Sequence, residues 1–173
     1  MPSNTYKLIS SVTVGAAGAS SIDFASIPAT FTDLKLVMSL RSTAPYTNVF
    51  ITANGATTSF TWRALFGDGS AASSINDGGT TSSFNISGAM PRSTYTANTF
   101  GNTEFYIPNY AGSTNKSFSF DATAENNATA TAMTLTAGLW SNTAAITSLK
   151  LVPDPTYSFV QHSTAYLYGV KSS

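Results

Sequence analysis

The sequence predicts an all-β protein: an antiparallel β-sandwich of jelly-roll type, with about ten short strands in a single domain over residues 1–173. Apolar and polar residues alternate with a period of two in segment after segment, which is the spacing of strands with one buried face. Turn-forming residues interrupt this alternation about every 8 to 12 residues, as in sandwiches and barrels. Only 9% of the residues are charged, against about 25% in an average domain, so long helices with charged outer faces are not expected.

Five strands are predicted in the first part of the chain. The most regular one contains four apolar residues, from Leu34 to Leu40, on a single face. Asn54-Gly55 is the strongest two-residue hairpin signal, so the strands before and after it are predicted to pair with each other. The five predicted strands cover residues 6–14, 20–24, 33–41, 49–53 and 59–65.

The alternating pattern breaks down over residues 67–99. This segment is small, polar and rich in glycine, and only residues 84–90 suggest a strand. A compact domain seldom contains so long a loop without a function. We expect a variable loop region here, either at one end of the fold or ordered by a neighbouring chain.

A β-hairpin within residues 101–125 is the element around which the rest of the chain is organised. Phe105 and Ile107 share a face on its first strand, and Phe118 and Phe120 share a face on its second. Turn formers separate the two strands. The hairpin is therefore predicted to supply aromatic side chains to the core.

The register of this hairpin raises an electrostatic problem. The pairing that sets Phe105 opposite Phe120 also sets Glu104 directly opposite Asp121, and like charges directly opposite are destabilising. We expect a register slipped by two residues, which separates the carboxylates. A metal ion between the two acids is the alternative.

Three more strands are predicted after the hairpin. Met133, Leu135, Ala137 and Leu139 alternate with intervening residues up to Trp140. Together with the preceding elements, these strands complete the sandwich. They cover residues 133–140, 146–152 and 165–170.

Composition excludes several classes of function. The chain has eight Lys plus Arg and eight Asp plus Glu, with a net charge of zero, so it lacks the basic stripe that nucleic-acid binding requires. It has no cysteine, which excludes disulfides and thiolate metal sites. No run of about 18 apolar residues suggests a membrane span. The first residues lack the apolar core of a signal peptide, so we expect synthesis in a cytoplasm without export by that route.

No catalytic constellation is found, and we expect a protein that is not an enzyme and uses no cofactor. His162, the one histidine, is followed by Ser163, but adjacent strand residues point to opposite faces and cannot act as base and nucleophile. Glu104, Asp121 and Glu125 could in principle supply a pair of glycosidase carboxylates about 5 Å apart. Acids on strand faces are more often solvated, and we assign no catalytic residue.

Two acids in the Gly-rich segment, Asp68 and Asp77, suggest turns. Carboxylates and loop carbonyls can bind Ca²⁺, but six to eight oxygens are required. The spacing of these acids matches no EF-hand loop. We assign no metal ligand.

Four tyrosines in or beside loops are the candidate contact residues. Aromatic side chains are enriched in subunit contacts, and they could equally stack on sugar rings. The sequence does not separate an interface from a glycan contact. The four are Tyr46, Tyr95, Tyr110 and Tyr157.

Five segments, in this order and spacing, resemble a family of small virion-associated proteins of tailed bacteriophages. The resemblance covers nearly the whole chain except about residues 67–95. Its motifs are structural and contain no catalytic signature. The segments are YKLISSVTV, SIDFASIPATFTDLKLVMSLRS, GNTEFYIPNYAGSTNKS, AGLWSNTAAITSLKL and STAYLYGV.

The resemblance implies a β-sandwich that assembles on the virion exterior, often as a trimer. The function expected first is a capsid decoration (cement) protein, a homotrimer that binds the major capsid protein or other virion proteins. The alternative is a tail-fibre or spike tip, or a carbohydrate-binding module, that recognises a host-surface glycan through loop tyrosines and the 67–98 region. Neither function involves nucleic acid or a membrane.

Overall fold

The computed structural model describes residues 5–77, 79–128 and 131–171, and in these ranges the chain forms twelve β-strands and no helix. Ten short strands were expected, and the additional ones lie within residues 67–99. The strands are β1 (Tyr6–Thr13), β2 (Ile22–Phe24), β3 (Asp33–Ser39), β4 (Val49–Ala53), β5 (Phe60–Gly67), β6 (Ala72–Asn76), β7 (Phe84–Ile86), β8 (Gly101–Ile107), β9 (Lys116–Ala124), β10 (Met133–Trp140), β11 (Leu149–Val152) and β12 (Thr164–Val170).

The strands form two antiparallel sheets. The large sheet has the order β1-β12-β3-β8-β9-β10-β5-β6, and the small sheet has the order β2-β11-β4-β7. From β2 onward most connections pass from one sheet to the other, as is typical of a jelly roll. The predicted fold class, an antiparallel jelly-roll sandwich, is confirmed.

An aromatic cluster fills the core between the sheets. Phe84 extends from β7 in the small sheet and contacts three rings of the large sheet: Phe60 at 4.9 Å, Phe118 at 4.2 Å and Phe105 at 6.3 Å between centroids. Trp140 stacks on Phe60 at 5.8 Å. Because Phe84 contacts rings on three different strands, it joins the small sheet to the middle of the large sheet.

Gly138 on β10 provides the space that Phe84 occupies. A Cβ at this position would lie 2.4 Å from Phe84 Cε1 and 3.0 Å from the Thr61 carbonyl oxygen. Neither the ring nor the backbone can move away cheaply in a close-packed core. The close approach of the two sheets at this point therefore requires glycine.

The predicted hairpin around Asn54-Gly55 is wrong, although the turn itself forms. Both residues have positive φ, and the Ala56 amide donates a 2.9 Å hydrogen bond to the Ala53 carbonyl. However, β4 pairs with β11 and β7, whereas β5 pairs with β10 and β6. The two strands bury apolar faces from opposite sheets, so the turn and the residues after it carry the chain across the sandwich.

The side chain of Asn54 holds this crossing in place. Its Oδ1 accepts hydrogen bonds from the amides of Thr147 at 2.8 Å and Ser148 at 3.1 Å, and its Nδ2 donates to the Ala145 carbonyl at 2.8 Å. The residue that forms the turn thus also binds the segment leading into β11.

Residues 67–99 contain more structure than the sequence suggested. β7 lies where a strand was suggested, and its Phe84 and Ile86 are buried. β6 forms the edge of the large sheet and exposes all five of its residues. Periodicity could not reveal β6, because a strand with no buried face has no apolar alternation.

The slipped register predicted for the hairpin of β8 and β9 is also wrong. Glu104 lies directly opposite Asp121, and Phe105 opposite Phe120. The turn of this hairpin closes over Lys116, whose buried ammonium donates to the carbonyls of Gly112 (2.7 Å), Thr114 and Thr143 (3.3 Å). Burial lowers the pKa of Lys116.

Replacing Gly138 tests the contact between the sheets. Gly138→Ala is expected to lower the free energy of unfolding by about 1–3 kcal/mol, because the added methyl group overlaps the Phe84 ring. Chemical denaturation measures the change. Gly15→Ala is the control: its Cβ would have no described atom within 4 Å, and its effect should stay within about 0.5 kcal/mol. Similar losses in both variants would contradict the assigned contact.

Candidate functional site

The outer face of the large sheet carries a groove of about 650 Å³. It crosses five strands, from β3 through β8, β9 and β10 to β5, with Tyr6 of β1 at one side and Ser74 of β6 at the other. Its centre is charged and polar, and its β10 and β5 side is apolar. The central side chains are Lys35, Glu104, Tyr106, Ser119 and Asp121.

Lys35 resolves the conflict between the two opposed carboxylates. Its Nζ lies 2.7 Å from Glu104 Oε2. The hydrogen bond to Glu104 and the charges of Glu104 and Asp121 raise the pKa of Lys35, against the opposing effect of burial. The lysine comes from β3, the strand next to β8, so the direct register needs neither a slip nor a metal ion. Within the described ranges, no group of three or more His, Cys, Asp or Glu residues is placed to bind a metal.

Tyr106 is held beside this ion pair by Asp33. Its hydroxyl donates a 2.5 Å hydrogen bond to Asp33 Oδ2, while Asp33 Oδ1 accepts the Asn109 amide at 2.8 Å. The hydrogen bond to Asp33, together with burial, raises the pKa of Tyr106 to about 12. The phenol is therefore neutral and fixed in position at all physiological pH values.

An apolar stripe borders the groove on β10 and β5. Leu135 lies directly opposite Leu65 across the two strands, and Ala137 opposite Arg63. The four large side chains of the stripe expose between 36% and 60% of their surface. The stripe consists of Leu65, Met133, Leu135, Ala137 and Leu139.

A half-buried strand usually turns its apolar side chains to the core. In β10 the apolar side chains face outward instead. Thr134 and Thr136 face inward and are buried, and their hydroxyl oxygens have no hydrogen-bond partner among the described residues. A shift by one residue would exchange the two faces. It would also remove Gly138 from beneath Phe84 and Trp140 from the core. The packing of Gly138 and Trp140 in the core therefore determines which face of β10 points inward, and the leucines face outward.

The candidate tyrosines occupy different environments. Tyr46 is exposed, and Tyr95 and Tyr157 are partly exposed. Tyr110 is fully buried, and its hydroxyl donates to the Pro28 carbonyl. The prediction that Tyr110 makes an interface or glycan contact is therefore wrong, because its ring belongs to the core.

A second, polar cleft of about 390 Å³ lies at one open end of the sandwich; we call it the Tyr95 cleft. It contains Tyr95 and Asp68, both from the predicted variable region, with Arg92 and Asn126. The Arg92 guanidinium lies 5.0 Å from the centroid of the Tyr95 ring. Arg92 lies within the 67–98 region that was expected to recognise a glycan, although the residue itself was not singled out; Asn126 was not placed at the site, because it lies in a loop without a pattern.

The two loop acids organise turns. Asp68 Oδ1 accepts hydrogen bonds from the amides of Ser70 and Ala71, both at 2.9 Å. These bonds lower the pKa of Asp68 to about 2. Asp77 accepts the Trp62 amide at 2.6 Å and pairs with Arg63 at 2.8 Å.

His162 and Ser163 are separated, as expected. His162 is exposed in a turn with positive φ. The Ser163 hydroxyl is buried, where it accepts a hydrogen bond from the Arg41 amide and donates one to the Arg41 carbonyl, both at 3.1 Å.

In the described part of the chain, no helix has the length and hydropathy needed to cross a membrane.

Comparison with known proteins does not place the chain in a family. No family model and no curated protein matches it. Galectin LEC-6 of Caenorhabditis elegans is 10% identical, with 94% of this chain and 96% of that chain covered and a TM-score of 0.38. The CBM2 module of the evolved Dit of Lactobacillus casei BL23 phage J-1 is 11% identical, with 88% and 69% covered and a TM-score of 0.20. At these TM-scores neither likeness bears on function.

The Tyr106–Asp33 hydrogen bond predicts a loss of stability in alkali. The folded pKa of about 12 exceeds the usual value near 10. The contribution of this hydrogen bond to the free energy of unfolding is therefore complete below about pH 10 and is lost as the pH rises towards about 12. Denaturation at a series of pH values should show this loss in the wild type and a smaller loss in Tyr106→Phe. The same slope in both proteins would contradict the assignment.

Proposed function

We propose that this chain is a structural subunit of the exterior of a tailed-bacteriophage virion: a capsid decoration (cement) protein that binds the outer head surface as a homo-oligomer. The observation that carries the proposal is the apolar stripe on β10 and β5. Large exposed apolar patches on a soluble domain mark interaction surfaces. The virion location comes from the sequence resemblance, and the trimeric state is the one that the resemblance implies.

The stripe is well suited to a stable contact between subunits. Its four large side chains are already partly buried, so covering the remainder would contribute about 1 kcal/mol each. The stripe covers two strands at a spacing of about 4.8 Å and about seven residues of β10, or roughly 10 by 23 Å. It would form the apolar centre of an interface whose remaining area, up to roughly 800 Å² per partner, comes from the polar side chains beside it.

The charges on the same face favour another copy of the chain as the partner. Lys35 and Arg63 supply two positive charges, and Glu104 and Asp121 supply two negative charges. Charges of both signs allow the cationic part of this face on one subunit to meet the acidic part of the same face on the next subunit. Such a heterologous contact, repeated around an axis, closes a cyclic trimer with one type of contact.

We propose that the protein does not catalyse a reaction. Glu104 is paired with Lys35 at 2.7 Å, and Tyr106 is bonded to Asp33. One of the two groove carboxylates is therefore engaged with a lysine, whereas glycoside hydrolysis needs two carboxyl groups free to contact the substrate.

The second candidate function is recognition of a host-surface glycan by a tail-fibre or spike tip. The Tyr95 cleft is the observation that favours it, since it combines an aromatic ring with polar side chains at the end of a rigid sandwich. The cleft is separate from the groove, and the two functions are compatible in one protein.

Disrupting the stripe is expected to dissociate the oligomer. Leu135→Gln replaces a half-exposed apolar side chain at the centre of the stripe, so it should reduce self-association at least tenfold and change monomer stability within about 0.5 kcal/mol. Light scattering over a range of concentrations measures the assembly. Wild-type protein should have about three times the mass of one chain.

Leu8→Gln is the matched control. Leu8 is about as exposed as Leu135 but lies on β1, at the far side of the same sheet. It should leave the assembly intact. A strictly monomeric wild type, or equal dissociation by both variants, would contradict the assignment of the interface to the stripe.

Electron microscopy of the virion tests the location. We expect many copies on the outer surface of the head, grouped at symmetry axes, with the stripes turned towards each other. A position confined to the tail tip would reject the decoration role and favour receptor recognition.

A further inference from the structure

We propose that the Tyr95 cleft is a binding site for a neutral saccharide. This inference rests on the second candidate function, recognition of a glycan at this cleft, and names the ligand class; it does not rest on the decoration role or on the stripe. It rests on two features of the cleft. Buried hydrogen bonds fix the loop that contains Tyr95, and the side chains that face the cleft include one cation and one anion.

The cleft lies between the two sheets at the open end of the sandwich. Phe66 on β5 and Ala124 at the end of β9 line it from the large sheet, while Ser87 and Gly88 line it just after β7 in the small sheet. Its volume of about 390 Å³ falls within the range of about 300–1,000 Å³ that is usual for small-ligand sites.

A buried arginine holds the wall that contains Tyr95. The Arg41 guanidinium donates to the carbonyls of Tyr95 at 2.9 Å, Thr96 at 2.8 Å and Thr99 at 3.2 Å. Thr96 in turn donates from its hydroxyl to the Asn126 carbonyl at 2.8 Å. The loop is thereby joined both to the core and to the opposite wall, so a ligand would not have to order it.

The groups that face the cleft keep hydrogen-bonding capacity. Asp68 uses Oδ1 for its turn, which leaves Oδ2 as an acceptor. Asn126 uses its Oδ1 to accept the Ala128 amide at 3.0 Å, which leaves its two N–H donors. The Arg92 guanidinium is stacked on Tyr95 and is hydrogen-bonded to no described residue.

This combination favours a saccharide over a charged ligand. A sugar hydroxyl both donates and accepts, so neighbouring hydroxyls can accept from Arg92 and donate to Asp68. An anion would be repelled by Asp68, and a cation by Arg92. The apolar surfaces of Tyr95, Phe66 and Ala124 suit the C–H face of a pyranose ring.

Saturation-transfer NMR on the full chain tests the proposal. The probes are neutral trisaccharides of glucose, galactose and N-acetylglucosamine, with a galacturonic-acid trisaccharide as the charged comparison. We expect at least one neutral probe to bind. Arg92→Met and Tyr95→Ala should each weaken that binding at least tenfold, and both variants should stay folded with melting temperatures close to that of the wild type, because Arg92 is exposed and Tyr95 is partly exposed.

Two controls separate this site from the outer groove. Tyr6→Ala removes an aromatic ring from the groove, and Leu135→Gln disrupts the stripe; neither should change saccharide binding. Binding lost in Tyr6→Ala, tighter binding of the uronic acid, or no binding of any neutral probe would overturn the proposal. These outcomes concern the cleft alone, and the proposal that the stripe mediates assembly is tested separately by light scattering.

Discussion

The packing of Phe84 into the space above Gly138 is the contact on which the rest of the sandwich depends. Phe84 is the ring through which the small sheet enters the aromatic cluster of the large sheet. A side chain at position 138 would overlap it. Since interiors are packed as tightly as organic crystals, this contact requires glycine at position 138 and fixes which face of β10 points to the core.

The position of β10 has a consequence on the opposite face of the sheet. With Gly138 and Trp140 turned inward, the alternation of the strand directs Thr134 and Thr136 into the core and the leucines outward. Two buried hydroxyls with no hydrogen-bond partner among the described residues are a local cost. Such a conflict between local pattern and fold is expected where function has shaped the sequence, and its result here is the exposed apolar stripe that we propose as the assembly surface.

The two proposed functions, assembly and recognition, use separate parts of the molecule. The stripe lies on a flat, hydrogen-bonded sheet, which suits a large and permanent contact. The Tyr95 cleft lies among loops that Arg41 ties to the core. A subunit joined to its neighbours through the sheet face would keep this end of the sandwich free to meet another surface.

By itself, the sequence determined where most strands lie and which fold class they form, because period-two alternation is a local property: residues 49–53 and 133–140 were predicted to the residue. Only the tertiary structure decided which distant strands pair, which face of β10 is buried, and which cation meets Glu104. These depend on side chains far apart in the chain, such as Lys35 on β3 and Phe84 on β7. Alternation gives every strand two faces, and only the packing of its neighbours selects the one that faces the core.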